Sequence, residues 1–132
     1  MIIADTSVLL DVVRDNPVWG LRAREALDAA SAIDEIVIND VIYAELSVRY
    51  STIEEFEKVL VAVPLKHRPI PKQALFLAAK AFQLHRRRRG TKTGVLSDFF
   101  IGAHAAVEGA ALLTRDPGHV RSYFPTVRLV SP

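Results

Sequence analysis

The chain contains no cysteine. Disulfides, zinc–thiolate centres and thiol nucleophiles are excluded, although that absence leaves the compartment open. It also lacks an apolar run of membrane-spanning length, and its N-terminus lacks the basic flank and cleavage site of a secretory signal. No repeat, low-complexity stretch or linker interrupts the 132 residues. Net charge is nearly absent too, at +2, so a generally basic or acidic protein is ruled out. The expectation is one domain spanning 1–132, off the membrane and in the cytoplasm.

Half of the residues are hydrophobic and 24% are charged, the balance of a globular protein. A chain of this length buries about two-thirds of its unfolded surface around one core. The basic residues are unevenly spread, since RRRRGTK at 86–92 holds five of the 17. That marks a local patch.

Short aliphatic runs alternate with longer segments of helical period. Ile2 to Ala4, Ile36 to Ile38, Ala111 to Leu113 and Val127 to Val130 read as strands buried on both faces. LKHRPI is a further short strand candidate. The spacing predicts a helix from near Asn16-Pro17 through LRAREALDAASAIDE, a helix after Asn39 or Asp40, and another from the capping box Thr52/Glu55. A long helix from Pro71 runs out into the arginines, GTKTG forms a loop, and LSDFFIGAHAAVEGA leads into the ALLT strand. Alternating strands and helices predict an α/β fold in three α/β/α layers, with a mostly parallel sheet of about four or five strands and right-handed crossovers.

In such sheets the reactive crevice lies beyond the carboxyl ends of the strands. Asp5 closes the first strand and Asp116 follows ALLT by two residues. Glu45, in the second turn of the helix leaving the second strand, and Asp98, at the start of its helix, can reach the same edge. Asp98, Gly102, Ala105 and Gly109 share roughly one helical face, and the small residues permit close approach. Crowded carboxylates cannot all ionise without a cation, and an all-oxygen set suits Mg²⁺ or Mn²⁺. The implied chemistry is phosphodiester hydrolysis. Each acid has a local alternative: Asp5 as a helix cap, Asp98 as a first-turn acid, Asp116 as a turn residue, Glu45 on a solvated face. Asp11, Asp15 and Asp40 read as surface or capping acids.

DTSVLLD, YAEL, LSDFFIGAHA and the terminal LLTRDPGHVRSYFPTVRLVSP together resemble the PIN-domain ribonucleases, with the VapC-type toxins of toxin–antitoxin pairs as the nearest pattern. The resemblance spans essentially the whole chain. It implies Mg²⁺- or Mn²⁺-dependent cleavage of RNA, often transfer or ribosomal RNA, neutralisation by a small antitoxin, and a homodimer. It places the four acids at Asp5, Glu45, Asp98 and Asp116. Supporting hydroxyls fall at Thr114 and at Thr6 or Ser7, where they would hold carboxylates or water. This sequence departs from the pattern in two places: Pro117-Gly118 stands where many relatives carry another acid, and Gly102 where alanine is usual. The first departure favours one tightly held ion.

Arg86, Arg87, Arg88, Arg89 and Lys92 either solvate a helix end or track RNA phosphates beside the site. Arg115 is a candidate contact to the scissile phosphate or a counter-charge for the acids. A metal-free mechanism would need two paired histidines. His104 shares a face with Phe100 and Val107 and reads as packing, while His67 and His85 read as exposed and nothing in the sequence pairs them. Phe76, Phe82, Phe99, Phe100 and Phe124 read as core, and Trp19 as a possible partner contact. Two other functions fit the same acids: a structure-specific DNA nuclease, and a nucleic-acid- or antitoxin-binding module without catalysis.

Overall fold

The computed structural model describes residues 1–88 and 96–132. Five strands form one parallel sheet: β1 (Ile2–Ala4), β2 (Ile36–Ile38), β3 (Leu65–His67), β4 (Ala111–Leu113) and β5 (Leu129–Val130), in the order β3-β2-β1-β4-β5. The aliphatic runs supply these strands because all three residues of β1, β2 and β4 are buried, as a sheet covered on both faces requires. LKHRPI contributes β3 at one edge. The last strand is shorter than Val127 to Val130 suggested, because Val127 instead bonds back to the Phe124 carbonyl.

Seven helices connect the strands among the described residues: α1 (Thr6–Val13), α2 (Gly20–Ser31), α3 (Asp40–Ser47), α4 (Ile53–Val61), α5 (Lys72–Arg87), α6 (Leu96–Glu108) and α7 (Gly118–Tyr123). The chain runs from β1 out to β3 on one side, then returns past β1 to β4. Right-handed crossovers in the two directions put helices on opposite faces, giving the three α/β/α layers. The reversal makes the gap between β1 and β4 the topological switch point. None of these helices is long and apolar enough to cross a membrane.

Side-chain caps mark the starts of α1, α3 and α4. Asn39 caps α3 by accepting the Ile42 N–H at 3.0 Å. Thr52 caps α4 by accepting from Glu55 N, and Glu55 reaches back to the Ser51 N–H, so the capping box is present one residue displaced. The first long helix begins at Gly20 rather than near Pro17. Asn16 Oδ1 accepts the N–H groups of both Val18 and Trp19, and this side-chain turn occupies the residues that would have formed the first helical turn. The GTKTG loop lies outside the described residues.

Gly102 answers a packing demand. A Cβ there would stand 2.6 Å from Phe124 Cδ2 and 2.8 Å from its Cε2, inside the ring of a residue only 3% exposed. Alanine would gain about 1 kcal/mol of helix propensity, but overpacking costs about 1 to 3 kcal/mol. Gly102→Ala is therefore expected to lower the melting temperature by several degrees. In a Phe124→Leu background the same change should cost nothing. A higher melting temperature for Gly102→Ala alone would contradict this packing account.

Candidate functional site

The register of the central strands builds the site. Ala4 pairs with Leu113, and the Asp5 N–H donates to the Leu113 carbonyl at 2.9 Å. Asp5 and Thr114 thus emerge side by side at the switch point. Asp5 is also the N-cap of α1, its Oδ1 accepting the Thr6 N–H at 2.9 Å. The local capping role is thus present in a residue that also stands at the carboxyl end of the central strand.

Three hydroxyls hold the carboxylates. Thr114 Oγ1 donates to Asp5 Oδ2 at 2.7 Å, and Ser7 Oγ donates to the same oxygen at 2.8 Å. Thr6 Oγ1 donates to Glu45 Oε1 at 2.6 Å, tying α1 to α3. The two hydroxyls on Asp5 also accept backbone N–H groups: Asp116 N bonds Thr114 Oγ1 at 3.0 Å and Arg115 N bonds Ser7 Oγ at 3.1 Å. The segment after β4 is therefore anchored to Asp5 by two separate hydroxyl bridges.

Asp98 enters from the first turn of α6. Burial pushes its carboxyl up to about 6, and the charges of Asp5, Glu45 and Asp116 push in the same direction. All four proposed acids thus share one electrostatic site. Among the described residues, no three His, Asp or Glu side chains close on a single point as a filled metal site would. The donor set nevertheless fits a hard divalent cation: it is all-oxygen, anionic and strained by like charge, which a cation relieves.

Beneath the site, Asn39 and His104 join the two helices that carry Glu45 and Asp98. Because Asn39 Oδ1 already caps α3, its Nδ2 donates to His104 Nδ1, 3.1 Å away. That bond requires the neutral ring with the proton on Nε2. Burial agrees, holding His104 below the usual histidine range at 1% exposure. The packing role inferred from its helical face is correct, but the polar link to Asn39 carries no sequence signal.

Other readings require correction. Asp11 is not a surface or capping acid: it is only 2% exposed and faces Arg115. Arg115 therefore does not turn its guanidinium into the acidic site. His85 is half-buried and packs against Phe99, His119 and Tyr123, with Nδ1 3.3 Å from the Tyr123 hydroxyl. Its ring centroid is 5.4 Å from that of His119, a contact between residues 34 apart that no sequence pattern announces. His67 is exposed but pairs with Asp40 and stacks on Tyr43. Phe99 and Phe124 are buried as expected, whereas Phe76, also expected in the core, is 67% exposed.

The α5 arginines lie along the same aromatic group. Arg86 stands over Phe82, with 5.9 Å from Cζ to the ring centroid, and Arg88 over Tyr123 at 5.6 Å. Arg87 is exposed at the end of α5. Arg89 and Lys92 lie outside the described residues. Trp19 is half-buried beneath Arg115 and Arg22.

Solved structures share this architecture at low sequence identity. VapBC2 from Rickettsia felis, bound to a DNA fragment from its promoter, is similar over 100% of this chain and 99% of that one, with a TM-score of 0.75 and 17% identity. DNA-bound VapBC from Salmonella typhimurium matches with a TM-score of 0.70 and 18% identity over 98% of this chain and 96% of that one. FitAcB from Neisseria gonorrhoeae matches with 0.65 and 18% over the same shares. No curated protein matches the chain. The family model of the PIN domain matches residues 2–124, nearly the full length, and the chain belongs to the PIN-domain family of nucleases.

Proposed function

We propose that the chain is a Mg²⁺- or Mn²⁺-dependent endoribonuclease, the VapC-type toxin of a toxin–antitoxin pair, acting in the cytoplasm as one domain over residues 1–132. The observation that carries this reading is the grouping of four acids at one edge of the sheet: Asp5 after β1, Glu45 on α3, Asp98 on α6 and Asp116 after β4. The hydroxyl of Thr6 holds Glu45, that of Thr114 bonds Asp5 and the Asp116 N–H, and the charges of the other three acids act together on Asp98. The VapBC complexes among its structural neighbours support the pairing with an antitoxin, and a homodimer is what the family resemblance implies.

Asp5, Glu45, Asp98 and Asp116 would hold the ion. When bound, it supplies positive charge to the scissile phosphate and to the leaving oxygen and lowers the pKa of an attacking water. The hydroxyls of Ser7 and Thr114 fix Asp5, and that of Thr6 fixes Glu45, so these carboxylates keep their orientation as substrate enters. Asp98, whose carboxyl is raised by burial and by the neighbouring acids, carries a charge that a bound cation would relieve. Arg86, Arg87 and Arg88, with Arg89 and Lys92 beyond the described residues, would contact backbone phosphates. Their charge favours RNA entry without reading its sequence.

Purified protein is expected to cut a mixed RNA pool, leaving 5′-phosphate and 3′-hydroxyl ends, and to leave duplex and branched DNA intact. Cutting of DNA but not RNA would assign the same acids to a DNA nuclease. Cyclic-phosphate ends would instead implicate the RNA 2′-hydroxyl and an acid–base histidine mechanism.

A further inference from the structure

Arg115 adjoins the acidic site, yet its side chain is engaged elsewhere. Its Nη2 donates to Asp11 Oδ1 at 3.1 Å, and its Nε stands 2.8 Å from Asp11 Oδ2 in an ionic contact off the ideal hydrogen-bond line. The guanidinium also lies over the Trp19 ring, 5.2 Å from Cζ to the centroid. Asp11 is on α1, the helix capped by Asp5, and its side chain is only 3% exposed. A lone charge buried there would cost several kcal/mol. The planar fork of arginine meets the carboxylate while its face stacks on the indole, a pairing that lysine cannot reproduce.

We propose that Arg115 is a positioning residue for the metal site, acting through a latch formed with Asp11 and Trp19. The latch fixes the backbone of the segment after β4. The Arg115 N–H then reaches Ser7 Oγ, which bonds Asp5, while the Asp116 N–H reaches Thr114 Oγ1, which bonds the same Asp5 oxygen. Releasing the guanidinium frees the segment and loosens two of the four acids together. The α1–α2 connection, through Trp19, becomes part of the support of the site. This inference rests on the acids holding a divalent ion.

Mn²⁺ titration of the metal-free chain, followed by paramagnetic resonance of the free ion, tests the latch without any activity. Arg115→Lys keeps the charge, and Trp19→Leu involves none. Both are expected to weaken Mn²⁺ binding about tenfold, the scale of loss when groups supporting metal ligands are removed. Arg115→Gln separates positioning from simple repulsion: losing a nearby cation should tighten Mn²⁺ binding electrostatically, whereas losing the latch weakens it. Tryptophan emission, which comes only from Trp19, should shift in Arg115→Lys while the circular dichroism spectrum is retained. Mn²⁺ affinity within twofold of wild type in Arg115→Lys and Trp19→Leu, or tighter binding by Arg115→Gln, overturns the latch and leaves the metal site standing. Wild-type protein that binds no Mn²⁺ overturns both. Should Arg115→Gln fail to fold, the other two variants decide the matter.

Discussion

Asp98→Asn is expected to divide stability from activity: the metal-free variant melts higher than wild type at about pH 8, while RNA cleavage falls about 10³-fold. The rate loss follows from removing a ligand whose ion supplies several kcal/mol of charge stabilisation. The stability gain follows from the raised carboxyl. A folded value of about 6 against 3.8 for the unfolded chain means that folding favours the protonated form. Asp98 therefore costs no stability below about pH 4. The cost grows as pH rises toward 6 and is complete above it, because the unfolded chain releases its proton first. Converted in full at about 1.36 kcal/mol per pH unit, the displacement overstates the gain, since Asp98 keeps part of its solvent contact. Screening leaves about 1 to 2 kcal/mol, or roughly 5 °C in melting temperature. The difference should vanish when the same melts are recorded at about pH 4. A lower melting temperature for the variant at both pH values would show that Asp98 is not electrostatically strained.

The same strain makes divalent ions stabilisers of the fold. At a concentration about 100-fold above its dissociation constant, a ligand that binds only the native state adds about 2.7 kcal/mol, here roughly 10 °C. Mn²⁺ or Mg²⁺ should raise the melting temperature by that order, chelator should reverse it, and Asp5→Asn should abolish it. Asp5 is the strictest test because the hydroxyls of Ser7 and Thr114 both converge on one of its oxygens, so asparagine disturbs the ligand and its supports together. An equal metal-induced rise in Asp5→Asn would place the ion elsewhere.

The sequence reveals the site where chemistry and topology are local. Aliphatic triplets mark β1, β2 and β4, and parallel-sheet geometry brings the carboxyl ends of β1 and β4 to one edge, which pairs Asp5 with Asp116 from the sequence alone. Glu45 and Asp98 lie on helices, where their positions in the first two turns put them within reach of that edge, and the family resemblance falls on the same four acids. What escaped depends on contacts across long separations. Asp11 interrupts an apolar run on a short helix, a hint of a buried pair, but its partner Arg115 is 104 residues away. Likewise, Asn39 looked only like a helix cap, and its second bond to His104 closes across 65 residues. The Asn16 turn is hidden for a different reason: proline suits a first helical turn, but a side chain that bonds two successive N–H groups holds the backbone out of the helix.

The toxin reading and the nuclease mechanism meet in one assay. Cleavage of a mixed RNA pool by the purified chain should be compared with Mg²⁺ or Mn²⁺, with excess chelator, and with folded Asp5→Asn and Asp98→Asn proteins. The cuts are expected to need the metal and to disappear in both variants. Cleavage that survives chelator, or full activity in both variants, would contradict it.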